Sequence, residues 1–210
     1  MPWTSEEMAA RVAGDVEDGW VANFGVGLPT LVAERLHGRP VLVHSENGIL
    51  GVGPPPPPGE EDPDVIDPGK NPVTTVTGAA FMDSLTSFSL IRGGRLDLAV
   101  MGAYQVSEDG DLANWRLPNQ RRGAIGGAAD LAVGAPRVWV MTTHRAKGGL
   151  PKLVRRCTYP LTARGVVDRV YTDLAVLDVG PGVLRAVALA PGVTPSELRD
   201  ATEARLEIAS

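Results

Sequence analysis

Short apolar runs alternate along this chain with segments whose apolar positions recur at helical spacing, and the alternation starts almost at once. TSEE at residues 4–7 reads as a capping box between Thr4 and Glu7, opening an amphipathic helix to about Asp18. A short strand at residues 20–24 follows. GVGLP then makes a tight turn, Pro29 suits the first helical position because its missing N–H is not needed there, and LPTLVAERLH runs to Gly38. VLVH at residues 41–44 is the next strand, so the run reads as a βαβ unit with a right-handed crossover.

Residues 51–72 break the rhythm. They hold eight prolines, five of them consecutive at Pro54 to Pro58, and a segment so poor in backbone donors cannot be regular structure. A loop of this length is either disordered or a functional lid. The alternation then resumes with a strand at 73–78, a helix at 80–91 and a strand at 95–103. A short helix at 126–135 and a strongly apolar strand at 137–143 follow. Residues 173–179 and 184–190 are further strands, and a second capping box, Thr194 with Glu197, opens a final helix over 194–206. Near-continuous apolar strands between helices predict an α/β chain, a three-layer α/β/α arrangement around a mainly parallel central sheet.

At 210 residues the chain is expected to be a single domain, residues 1–210. Hydrophobic content of 43% with 21% charge, and no apolar run long enough to span a bilayer, excludes a membrane role. The opening MPWTSEEMAA has neither a basic start nor an apolar core, so a cytoplasmic location is expected. A single cysteine, Cys157, excludes an internal disulfide and a CxxC metal knuckle, and its default reading is a packed small hydrophobe. A net charge of −5 without a basic run argues against nucleic acid as partner.

In an open parallel sheet the crevice lies beyond the carboxyl ends of the strands, where Ser45, Glu46, Asn47 and Gly48 fall. Glu46 is therefore either a working carboxylate or a solvated turn residue; position alone leaves both open. His44 and Glu46 form an H-x-E pattern, but a zinc deaminase also needs P-C-x-x-C, and there is one cysteine. A Ser45–His44 nucleophilic pair is poor, since neighbouring strand residues point to opposite faces and no G-x-S-x-G elbow is present. His44 reads as a core or supporting histidine. GVGLPT resembles the start of a dinucleotide fingerprint, but Pro29 and Thr30 follow where the third glycine should be near.

Together the segments resemble the β subunit of the class I coenzyme A transferases, the 3-oxoacid CoA-transferase family. NFGVGLPTLVAERL resembles the family's N-x-G-x-G-x-P-x-x-V-A segment, and HSENGILGVGP matches its S-E-N-G-x-x-G-x-G-P signature. DPGKNPVT, FSLIRGGRLDLAVMGAYQVSEDGDLANW, GGAADL and HRAKG match in order, so the resemblance covers about residues 18–207. The five-proline stretch departs from the family, which has a more mixed segment there.

The resemblance implies a CoA-transferase fold and a specific use of Glu46. Glu46 would attack an acyl-CoA thioester to give an acyl-glutamyl anhydride and CoA thiolate. The thiolate would return to the glutamyl carbonyl, leaving CoA on Glu46 until a second carboxylic acid runs the steps in reverse. Gly127 is implied as an oxyanion donor through its backbone amide, with Gly126 and Ala128 shaping the turn; without the family, a tight turn before a helix would be the simpler reading. Asn23, Asn47 and Gly48 are candidates to hold and orient Glu46, although asparagines at turns commonly serve the backbone alone. Gly25 and Gly27 of the GVGLP turn, with Lys147 of HRAKG, are candidates for substrate or CoA contact. No metal and no permanently bound cofactor is implied; coenzyme A is substrate and covalent intermediate. The implied partners are an α subunit, as a heterodimer or α2β2, an acyl-CoA such as succinyl-CoA, and a 3-oxoacid such as acetoacetate or 3-oxoadipate. An acyl-CoA hydrolase using the same glutamate and a non-catalytic ligand-sensing domain are the alternatives.

Overall fold

The structure, a computed structural model, describes residues 1–208. Its strands are β1 (Val21–Phe24), β2 (Leu42–Ser45), β3 (Ile49–Val52), β4 (Thr75–Phe81), β5 (Leu98–Met101), β6 (Gln105–Ser107), β7 (Leu112–Ala113), β8 (Val138–Met141), β9 (Leu153–Val154), β10 (Arg169–Tyr171), β11 (Ala175–Gly180), β12 (Val183–Leu189) and β13 (Leu206–Ile208). The helices are α1 (Ser5–Asp15), α2 (Thr30–Arg35), α3 (Ser84–Arg92), α4 (Ala128–Gly134) and α5 (Pro195–Ala201).

A ten-stranded sheet in the order β13-β12-β11-β10-β8-β5-β1-β2-β3-β4 forms the middle layer. Its centre, from β10 through β8, β5 and β1 to β2, is parallel. Antiparallel hairpins extend it on both sides, β2-β3-β4 and β10-β11-β12, so the mainly parallel reading describes the centre of the sheet and not its flanks. The central strands are buried on both faces because their residues alternate between two cores. Leu98 and Val100 of β5 join Met8, Val12 and Val32 on the α1/α2 side, whereas Ala99 and Met101 join Ile91 and Leu131 on the α3/α4 side. The same alternation sends Trp139 and Met141 one way and Val138 and Val140 the other. This gives the three layers.

Both capping boxes form. Thr4 Oγ1 accepts from the Glu7 amide at 3.2 Å and Glu7 accepts in return from the Thr4 amide; Thr194 and Glu197 do the same. Four boundaries differ from expectation. The first helix stops at Asp15, where the Arg39 guanidinium takes up the freed Ala13 and Val16 carbonyls at 2.7 Å each. The second ends at Arg35 and begins at Thr30, with Pro29 at its N-cap. The third starts at Ser84, because Ala80 and Phe81 pair with Leu50 and Ile49 and Asp83 caps the helix through the Thr86 amide. The final segment is helical only to Ala201: the amides of Glu203 and Ala204 bond the Leu153 carbonyl, and Leu206–Ile208 add to β12 as a parallel edge strand. Strands β3 and β10, and the small sheet β7-β6-β9, lie outside the sequence expectation, and β3 takes Gly51 and Val52 out of the predicted loop. Among the described residues no helix is long and apolar enough to cross a membrane.

Candidate active site

The order of strands reverses at β1: the chain goes from β1 through α2 to β2 on one side, while β5 lies on the other. At such a switch point the strand ends splay and leave a crevice. A cleft of about 550 Å³ lies there, lined by Gly25 after β1, Glu46 after β2, Met101 and Gly102 at the end of β5, Met141 and Thr142 at the end of β8, and Ile125 to Ala128 leading into α4.

Glu46 reaches this cleft from a turn that its neighbours make rigid. Ser45 pairs with Ile49 across the turn, and the Gly48 amide donates to the Ser45 carbonyl at 3.0 Å. Gly48 sits at φ +122°, and a Cβ there would collide with the Met82 carbonyl oxygen, so only glycine fits. The Met82 amide donates to the Gly48 carbonyl at 2.9 Å, clamping the turn to the segment before α3.

Beneath the turn lies a buried polar chain. Asn23 on β1 and His44 on β2 are adjacent in register and each 1% exposed. The Asn23 amide nitrogen donates to Glu46 Oε2 at 3.1 Å and to the His44 carbonyl at 3.0 Å, and stands 3.3 Å from His44 Nδ1. Ser87 of α3 donates to the Glu46 carbonyl at 3.0 Å, so its oxygen is free to accept from His44 Nε2 at 3.0 Å. The Ser87 hydroxyl sets the tautomer: the proton is on Nε2, which leaves Nδ1 unprotonated beside the Asn23 amide nitrogen. Burial pushes the His44 pKa down to about 4, so the ring is neutral at pH 7. Asn23 Oδ1 is buried without a partner, but turning the amide over would set that oxygen against the Glu46 carboxylate. Only Oε2 of Glu46 is engaged by a described residue; Oε1 is left for chemistry.

Gly127 stands on the other side of the carboxylate. A Cβ on Gly127 would lie 3.4 Å from Glu46 Cγ and 3.2 Å from Phe88 Cζ, so the bare backbone allows the approach. Gly127 is buried at the N-cap of α4, and its N–H meets no intramolecular acceptor among the described residues. Gly126 before it takes φ +50° to make the bend, and Ala128 lines the cleft.

The remaining candidates fall at different distances from the chemistry. Gly25 lines the cleft and extends the β1–β5 pairing through its amide to the Val100 carbonyl at 2.8 Å; Gly27, at φ +104°, closes the turn one step outside. Asn47 does not touch Glu46: it accepts from Ser45 Oγ and donates to the Ile66 carbonyl at 2.7 Å, tying the turn to the proline-rich segment. Lys147 sits exposed on the turn after His144, away from the cleft lining, and Lys152 lines the cleft instead. Ser87 and Lys152 carry no sequence signal of their own. Pro68, on a loop closed by Thr74 onto Pro54 at 2.9 Å, lines both this cleft and a smaller cavity of about 120 Å³ bounded by α2, Val43 and His44. The thiol of Cys157 is half-buried, and burial raises its pKa to about 12, which keeps it protonated and inert.

Comparison with known proteins gives one consistent result. The family model described as Coenzyme A transferase matches residues 5–200. The β subunit of the 3-oxoadipate CoA-transferase of Pseudomonas putida is 53% identical over 194 residues, which are 92% of this chain and 91% of that protein. The corresponding β subunit of the succinyl-CoA:3-ketoacid coenzyme A transferase of Helicobacter pylori is 42% identical over 203 residues, 97% and 98% of the two chains. Among solved structures, an acyl-CoA transferase of Escherichia coli O157:H7 shares the fold with a TM-score of 0.78 at 20% identity; the match covers 99% of this chain and 42% of that longer one.

Proposed function

This chain belongs to the coenzyme A transferase family, and we propose that it is the β subunit of a transferase moving coenzyme A from succinyl-CoA to a 3-oxoacid such as 3-oxoadipate or acetoacetate. The observation that carries the reading is the Glu46 carboxylate, held by one oxygen on the buried Asn23 amide, with the side-chain-free Gly127, whose N–H has no acceptor among the described residues, packed beside it.

Glu46 Oε1 attacks the thioester carbonyl, and the carbonyl electron pair moves onto oxygen. Collapse of this tetrahedral oxyanion breaks the C–S bond, releases CoA thiolate and leaves a mixed anhydride on Glu46. The thiolate then adds to the glutamyl carbonyl and expels the first acid as its carboxylate, leaving CoA on Glu46 as a thioester. The second acid's carboxylate retraces both steps. No net proton is needed, which suits a site whose nearest histidine is held neutral.

The first addition is uphill, because the leaving thiolate is more basic than the attacking carboxylate by roughly four pKa units. An oxyanion donor preset before the charge appears is therefore required, and the buried Gly127 N–H supplies one worth about 3 kcal/mol. Asn23 fixes the attacking group with a neutral donor, so the carboxylate is oriented without being neutralised. His44 and Ser87 act through it as positioning residues. A partner subunit completes the cleft in this reading. Large apolar side chains exposed on β4, α3 and α4, with Phe81 at 64% and Leu85 and Val133 at 73%, are the surface it would cover.

The test is initial-rate kinetics of the chain combined with its partner subunit, varying acyl-CoA and acceptor acid. Parallel double-reciprocal lines with acceptor-dependent release of new acyl-CoA are expected. Release of free CoA at a rate independent of acceptor would identify hydrolysis instead.

A further inference from the structure

The cleft holds a second charged group that the transfer steps do not use. Of the titratable side chains lining it, Glu46 and Tyr104 cannot carry positive charge, and Lys152 is the one cation among the described residues. Its backbone is fixed from both sides, the amide donating to the His144 carbonyl at 3.1 Å and the carbonyl accepting from Val106 at 2.9 Å. Its ammonium donates to Thr142 Oγ1 at 2.7 Å, just beyond β8. An ammonium has three donors, and the other two meet no acceptor among the described residues. No carboxylate, Glu46 included, lies within ion-pairing distance of it among those residues. Burial lowers its pKa, with Asp173 opposing. A partly desolvated cation with spare donors in the cleft is short of one anion.

In the transferase reading the acyl chain bonded at Glu46 occupies the cleft that Glu46 and Lys152 both line, together with Val26, Leu28, Met101, Leu131 and Met141. A second carboxylate at the end of that chain would lose its water against apolar walls, which is strongly unfavourable unless a cation receives it. We propose that Lys152, with Thr142 beside it, receives the distal carboxylate of a dicarboxylic acyl group and so sets a preference for diacids over monoacids of equal length. This rests on the transferase reading above. A CoA phosphate is a poorer occupant, because a single half-buried ammonium at the strand ends matches one carboxylate and leaves a doubly charged phosphate under-compensated.

The experiment compares kcat/KM for succinyl-CoA and for butyryl-CoA, which has the same chain length without the distal carboxylate, using one acceptor and the assembled complex. Lys152→Met is expected to lower the succinyl-to-butyryl ratio about 10- to 100-fold, mainly through KM, and Lys152→Arg to recover part of the loss. An unchanged ratio overturns the inference, whether both rates fall together, as a structural or phosphate-binding role would produce, or neither falls. A wild-type complex that forms no CoA adduct on Glu46 overturns the transferase reading itself and the inference with it. A complex that forms the adduct but shows no diacid preference overturns the inference alone.

Discussion

The two walls of the cleft are built differently. On the Glu46 side a strand pairing, a glycine that admits no side chain and a buried asparagine–histidine–serine chain fix the carboxylate from below. On the Gly127 side, residues 118–126 are all exposed and lie outside any helix or strand, and the one buried amide they lead to has no acceptor among the described residues. Order is concentrated around the carboxylate that, in the proposed reaction, must be held still through several steps. In the proposed reaction the opposite wall would offer its open donor to a charge that exists only in passing, and its exposed approach would be covered by substrate and partner.

Substitutions on the two walls should therefore differ in kind. Gly48→Ala should be the most damaging to the fold, because its Cβ meets backbone and its φ is positive; a loss of more than about 4 kcal/mol in chemical denaturation is expected. A loss below about 1 kcal/mol would mean that the turn can move. Asn23→Asp sets a second carboxylate against Glu46 and removes the donor, and kcat should fall about 100-fold with KM changed far less. An unaltered kcat would show that Glu46 needs no orienting. Gly127→Ala keeps φ at −80°, which alanine adopts freely, so the fold should survive while the added methyl crowds Glu46 and Phe88. A fall in kcat of about 10-fold is expected, and melting at the wild-type temperature is the control that separates the two walls.

The smallest effect is that of pH. His44 and His144 are both buried, with pKa pushed down to about 4 by desolvation. Their neutral forms belong to the folded state, so the unfolded chain binds more protons below about pH 6.5. The stability they contribute is complete above that pH and is lost as pH falls toward 4. At about pH 5.5 the loss relative to about pH 7.5 should be about 1 kcal/mol per histidine. Replacing His144, whose ring bonds Thr172 and Thr202 and does not touch Asn23 or Glu46, should remove its share while leaving the Asn23–Glu46 contact in place.

Features written in local sequence were legible, and features made by distant contacts were not. The βαβ start, both capping boxes and the placement of Glu46 just past an apolar strand follow from periodicity and turn chemistry. Strand β3 escaped because ILGV is short, interrupted by glycine and followed by prolines. The helical expectation at the end of the chain failed because ATEARL has helical composition, while Leu206 and Ile208 complete the edge of β12. Asn23 was visible as a candidate, but its choice over Asn47 depends on strand register: β1 sets Asn23 beside His44, whereas Asn47 turns outward to Ile66. Ser87 and Lys152 are brought to the site only by folding, and the nearby Lys147 drew attention by motif while sitting outside the cleft.

The central claim is that Glu46 carries coenzyme A. The direct measurement is intact-protein and peptide mass spectrometry of the assembled complex after acyl-CoA is added without acceptor. A CoA adduct on the peptide containing Glu46 is expected, lost on addition of acceptor acid and absent from Glu46→Gln. Turnover at the wild-type rate with no adduct, or with an adduct that persists in Glu46→Gln, would contradict it.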